Sequence, residues 1–259
     1  MGLEQILSNY AYTFLLIMAR YSGIFIITPV LGSNVIPIRV KVSFSFFLAV
    51  VTAPLIEKVA FPNHSLIIIS NVTRELGIGF ILGFVLFLAF ISIQLAGSFI
   101  DLRIGFAMVN IIDPLSGMTA PLTGQLKNIF ATLIFLIIDG HHVIIQALHY
   151  SFEKVPLGKM VLTDSSIAFL LRLIGDIFII SFQIALPIIG ALFIADVVFG
   201  FLARSMPQMN IFMIGLPVKI ILGIIILILS TGFMVNYFGE LFAEAFKNIS
   251  NIIKLLYNS

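Results

Sequence analysis

The sequence predicts an all-α, polytopic membrane protein of about six apolar helical segments, some of them kinked or re-entrant. Three observations predict it. Mean hydropathy is +1.18, with 60% of residues hydrophobic and 10% charged, against roughly 25% charged residues in an average soluble domain. The apolar residues gather into runs near the ~20 residues needed to cross a hydrocarbon core as a helix. The final stretch carries an apolar stripe at the helical period. A soluble fold of 259 residues cannot hide this much apolar surface, because more than half of any folded surface already belongs to apolar atoms.

Six runs approach the spanning length: 10–31, 40–56, 76–100, 129–149, 167–198 and 211–235. The first is expected to stay on as a membrane segment, since it lacks a basic leader region and Arg20 interrupts it with no small-x-small cleavage site behind. Pro54 should end the second early. Gly79 and Gly83 in the third form a G-x-x-x-G, which allows a close helix approach. The fifth holds Arg172, Asp176, Gln183 and Pro187 and is too long for one straight span. A kink or break is expected at Pro187, which removes a helical hydrogen bond and crowds the preceding turn. With no repeat, low-complexity stretch or soluble domain, residues 1–259 read as a single integral membrane domain.

The tail, about 237–257, differs. Phe238, Leu241, Phe242, Ala245, Phe246, Ile249, Ile252, Ile253 and Leu256 form one stripe, with Glu240, Glu244, Lys247, Asn248, Asn251 and Lys254 opposite. Such a helix is expected on a membrane surface or against a neighbouring subunit. Loop lysines and arginines split almost evenly between the two sides, so the positive-inside rule assigns no orientation.

Several function classes are excluded by composition. A net charge of +2 without a basic cluster gives no nucleic-acid face, and the absence of cysteine removes disulfides and thiolate metal sites. No phosphate-cradling, zinc-protease or nucleophile-elbow motif occurs. No catalytic, cofactor-binding or metal-binding residue is therefore expected. Asp139-Gly140-His141-His142 is the one tempting constellation. Adjacent histidines point about 100° apart on a regular helix, which favours a helix end meeting water over a metal or proton site. The remaining charges in apolar runs need partners, since an unpaired charge in lipid costs about 2.5 kcal/mol or more. Arg172 and Asp176, four apart, share a helix face; Asp196 and Lys219 are candidates for bridging helices or subunits.

The connector 101–128 carries the most information. Asp113-Pro114-Leu115-Ser116-Gly117 reads as a turn. Yet Met108, Val109, Ile111, Ile112, Leu115 and Met118 make the surrounding loop, with Asn110 among them, too apolar for water. It is either a packed, re-entrant loop or a plug whose flexible apolar groups seal a pore by excluding water. The residues alone leave both open.

An ordered set of short motifs resembles the flagellar biosynthetic FliR family and its injectisome counterparts of the SctT type. It comprises Ala19-Arg20, Pro29-Val-Leu-Gly32, Ile36-Pro37-Ile-Arg39-Val, Arg74-Glu75-Leu-Gly-Ile-Gly79, Gly105-Phe106 leading into Asp113–Gly117, Asp139-Gly140-His141, Pro156-Leu-Gly158, and Pro207-Gln-Met-Asn210 through Gly215-Leu-Pro-Val-Lys219. The last of these is closer to the flagellar branch. The resemblance implies a non-enzymatic subunit of a type III protein-export gate. That subunit would pack in a helical assembly with FliP-type and FliQ-type membrane proteins, and a FlhB-type protein would associate with the gate. It further implies a multi-pass protein of the bacterial inner membrane within the flagellar basal body, touching membrane lipid and passing unfolded export substrates. The loop Gly105–Pro121 would be the pore plug. Two rivals follow from the residues: a six-span transporter of a small solute, which should show inverted repeats, and a metalloenzyme using His141 and His142.

Overall fold

The computed structural model describes residues 3–33, 35–106, 121–206, 208 and 211–257. Among them there is no strand, and the chain is built from α1 (Leu3–Ile27), α2 (Ile38–Thr52, continued by a 3-10 turn Ala53–Leu55), α3 (Ser65–Ile104), α4 (Leu122–Ile137), α5 (Gly140–Lys154), α6 (Asp164–Ser205) and α7 (Ile211–Leu255). Among the described residues, five helices are long and apolar enough to cross a membrane, and α4 with α5 makes a sixth candidate bent by 65°. The all-helical, roughly six-segment reading holds, and the bent pair is its kinked or re-entrant element.

Three helices outrun their apolar runs. The 40, 42 and 45 residues of α3, α6 and α7 correspond to about 60–68 Å at 1.5 Å per residue, twice a hydrocarbon core of about 30 Å. For α3 the physical reason is visible. The run stops before the charges Arg74 and Glu75, but the helix continues through them because both are satisfied: Arg74 Nη1 donates to Gly158 O at 2.9 Å and Glu75 pairs with Arg20.

Of the kink or break expected at Pro187, the break does not occur: α6 runs through that residue as one helix. A second expectation is corrected outright. The tail is no separate surface helix but the continuation of α7. Its stripe is buried within its own chain, with Ile252, Ile253 and Leu256 wholly inaccessible. Val161 N–H donates to Leu256 O at 2.9 Å, tying the end of α7 to the connector before α6. An amphipathic stripe announces a partner surface but does not say whose surface it is.

The chain divides into two compact units. One comprises 1–88, 139–173 and 242–259; the other comprises 89–138 and 174–241. In the first, buried residues of α1 (Tyr12, Leu16, Ile17), α3 (Ile78, Leu82), α5 (Ile144, Leu148) and the end of α7 (Ile249, Ile253) make the core. In the second, the core draws on α3 (Ile93, Ile100), α4 (Ala131, Phe135), α6 (Ala185, Ile188) and α7 (Phe238). Phe90 and Phe135 meet edge to face there, with ring centroids 5.8 Å apart.

Candidate functional site

Two polar constructions stand out, one in each unit. In the first, Arg20 on α1 is completely buried. Its Nε donates to Glu75 Oε2 at 2.6 Å, Nη1 to Ser151 Oγ at 3.1 Å and Nη2 to Val155 O at 3.0 Å. The guanidinium also lies 4.3 Å from the Phe152 ring centroid. The other oxygen of Glu75 accepts Gly158 N–H at 2.7 Å. One arginine thus joins α1, α3, α5 and the turn after α5, with every charged group hydrogen-bonded, the condition under which a buried pair is tolerated. Close backbone approach makes it possible: a Cβ on Gly79 would run into Arg20 O, and one on Gly83 would meet Ile27 Cγ2 at 2.7 Å. The G-x-x-x-G of the sequence therefore faces α1.

In the second unit, the flanks of residues 107–120 are held tightly. The helix α3 ends at Gly105, whose φ of +101° is open to glycine and strained for any side chain; its N–H closes the last turn onto Asp101 O at 3.0 Å. The helix α4 starts behind Pro121, which makes no side-chain cap. The missing cap comes from the other flank. The carboxylate of Asp101 accepts the Thr123 N–H at 3.1 Å and a short hydrogen bond from its hydroxyl, filling one of the donors a helix start leaves open. Gly97 and Gly124 pack backbone to backbone beside it, with no room for a Cβ on Gly97. Sequence reasoning saw Asp101 only as the start of a connector. Gly97 and Gly124 are visible in the sequence, but their meeting is a tertiary contact that no local pattern announces.

A family model described as bacterial export proteins, family 1, matches residues 11–245. The chain belongs to that family. The proteins named flagellar biosynthetic protein FliR are its relatives. It is 31% identical over 249 residues to the one from Bacillus subtilis (strain 168), covering 94% of this chain and 95% of that protein. It is 32% identical over 241 residues to the one from Aquifex aeolicus (strain VF5), covering 90% and 92%. Against the protein of Escherichia coli (strain K12) the figures are 28% over 250 residues, 96% and 94%. The stretch matched by this bacterial export family contains both constructions above and the charges Arg172, Asp176, Asp196 and Lys219.

Within the family's frame those charges are placed as follows. Asp196 on α6 and Lys219 on α7 form an ion pair inside the second unit. Arg172 and Asp176 lie one turn apart on α6, and neither is without a partner. The suggested seal, Met108, Val109, Asn110, Ile111, Ile112, Asp113, Pro114, Leu115, Ser116, Gly117 and Met118, lies outside the described residues. His141 and His142 fall at the start of α5, directly after the 65° break.

Proposed function

We propose that the chain is a structural and gating subunit of the flagellar protein-export gate in the bacterial inner membrane. It would assemble with FliP-type and FliQ-type proteins and a FlhB-type protein around a pore for unfolded substrates. The observation that carries this reading is the family match across 11–245, joined by near end-to-end alignment with proteins named for flagellar biosynthesis. The surface supports it. Of the most apolar window of α7 only 17% is buried within the chain, against 67% for α3. Phe182, Phe193 and Phe201 on α6 and Ile228, Leu229 and Phe233 on α7 are exposed. So much apolar helix, far longer than a bilayer is thick, suits burial against other helices.

The loop between α3 and α4 is the proposed plug. A gate for an extended chain must stop ions at rest and yield to polypeptide, and a hydrophobic constriction does so by dewetting, without a site that traps the passenger. Met108, Ile111, Ile112 and Met118 would form the seal, and Asp113 and Pro114 the turn that presents it. The Asp101–Thr123 cap and the Gly97–Gly124 contact would anchor its two ends while the centre gives way.

Co-expression of an affinity-tagged chain with its FliP-type and FliQ-type partners tests the assembly. Both small membrane proteins should co-purify in excess over the chain, and the chain expressed alone should aggregate or be degraded. A well-behaved isolated monomer that captures neither partner would count against the proposal.

A further inference from the structure

We infer that Asp139, His141 and His142 form a binding site for a divalent transition-metal cation of the zinc type, at the break between α4 and α5. One carboxylate oxygen and one ring nitrogen from each histidine lie within 4.8 Å of one another. His142 Nδ1 is 3.4 Å from Asp139 Oδ1, the separation of about 3.4 Å that two ligands keep on a tetrahedral ion bonded at about 2.0–2.1 Å. Neighbouring histidines diverge on a regular helix, and both stand in the first turn of α5, yet a nitrogen from each lies close to the Asp139 carboxylate. The chain turns sharply before them, Asp139 takes a left-handed conformation (φ 55°, ψ 30°), and the two imidazoles come to a centroid distance of 4.2 Å at a tilt of 39°.

Two further observations point to a ligand. Asp139 occupies the N-cap of α5, where its side chain would ordinarily accept a backbone N–H of the first turn; it makes no such bond and faces His142 instead. His141 Nδ1 is buried with no hydrogen-bond partner, a costly state for a polar atom. The positive end of α5 disfavours a cation, and the carboxylate is the anionic ligand that counters it. Two imidazoles with one carboxylate suit zinc and its first-row neighbours, whereas calcium and magnesium prefer oxygen donors throughout. The side chains of Asp139 and His142 are 71% and 64% exposed, leaving the fourth position open to water. Bound metal would tie the left-handed residue to the first turn of α5. The inference does not rest on the gate reading.

The test uses the full chain purified with its partners in detergent, stripped with a chelator and titrated with zinc chloride. Bound zinc is counted by mass spectrometry after gel filtration. The wild type should bind one equivalent per chain. Asp139→Asn and His142→Gln should each weaken binding by more than the roughly 10–100-fold typical of an outer-shell change, while His149→Gln should match the wild type. Failure to bind, or equal binding by Asp139→Asn and His142→Gln, overturns the inference. If a variant loses helix content, the wild type loaded with cobalt chloride decides. Visible bands of a four-coordinate nitrogen–oxygen site support the inference, and the spectrum of aqueous cobalt refutes it.

Discussion

Arg20 shows how one charge can organise an apolar unit. Its five donors cannot be shed by deprotonation, because guanidinium stays charged in proteins, so the fold has to bring acceptors to it. Glu75, Ser151 and Val155 do so from two other helices and the turn beyond them. Removing one partner of such a buried pair costs about 3–5 kcal/mol, chiefly through the charge left behind, whereas removing both charges together costs far less. Arg20→Met should therefore sharply lower the thermal stability of the assembled protein, and Arg20→Met with Glu75→Leu should recover part of the loss. Thermal unfolding of the purified complex reads this directly; a double variant worse than the single one would contradict the account. The sequence made Arg20 conspicuous as an interruption of an apolar run. It could not name Glu75, 55 residues away, because pairing across helices leaves no trace in local periodicity. Asp101 escaped notice for the same reason: capping by another helix is a tertiary event.

At the scale of elements, periodicity found the helices and misjudged their ends. Hydropathy stops a segment at its first charges, as at Arg74 and Glu75, but a helix stops only where its backbone must, as at Gly105. Pro187 leaves α6 continuous, since a helix can lose one hydrogen bond and carry on through neighbouring turns. The stripe at 237–257 was legible as a stripe, but whether it met lipid, another chain or its own was not, because all three surfaces reward the same pattern. Its burial inside the chain makes a prediction that separates them. Ile253→Asp places a carboxylate at a wholly inaccessible position, where an unpaired charge costs several kcal/mol, and should strongly reduce the folded protein recovered from membranes. Glu244→Gln, on the exposed face, should leave recovery unchanged. Quantitative blotting of membrane fractions checks both; normal recovery of Ile253→Asp would return the tail to a membrane surface.

For the whole molecule, family membership joins two compact units and a loop into one proposed device. The residues alone gave the membrane class and the apolar loop between α3 and α4; the ordered motifs supplied the family, and the match across 11–245 shows it. What no local pattern could give is the anchoring of the loop's flanks, with Asp101 capping α4 and Gly97 seated on Gly124. With both flanks tied to each other by these contacts, the residues between them can be shortened without disturbing α3 and α4. The most direct measurement is the ion conductance of membranes carrying the chain with Asp113–Gly117 deleted and all partners present. The account predicts assembly at normal levels together with a leak of small ions that the intact chain does not show. Loss of assembly, or a deleted loop that leaves the membrane tight, would contradict it.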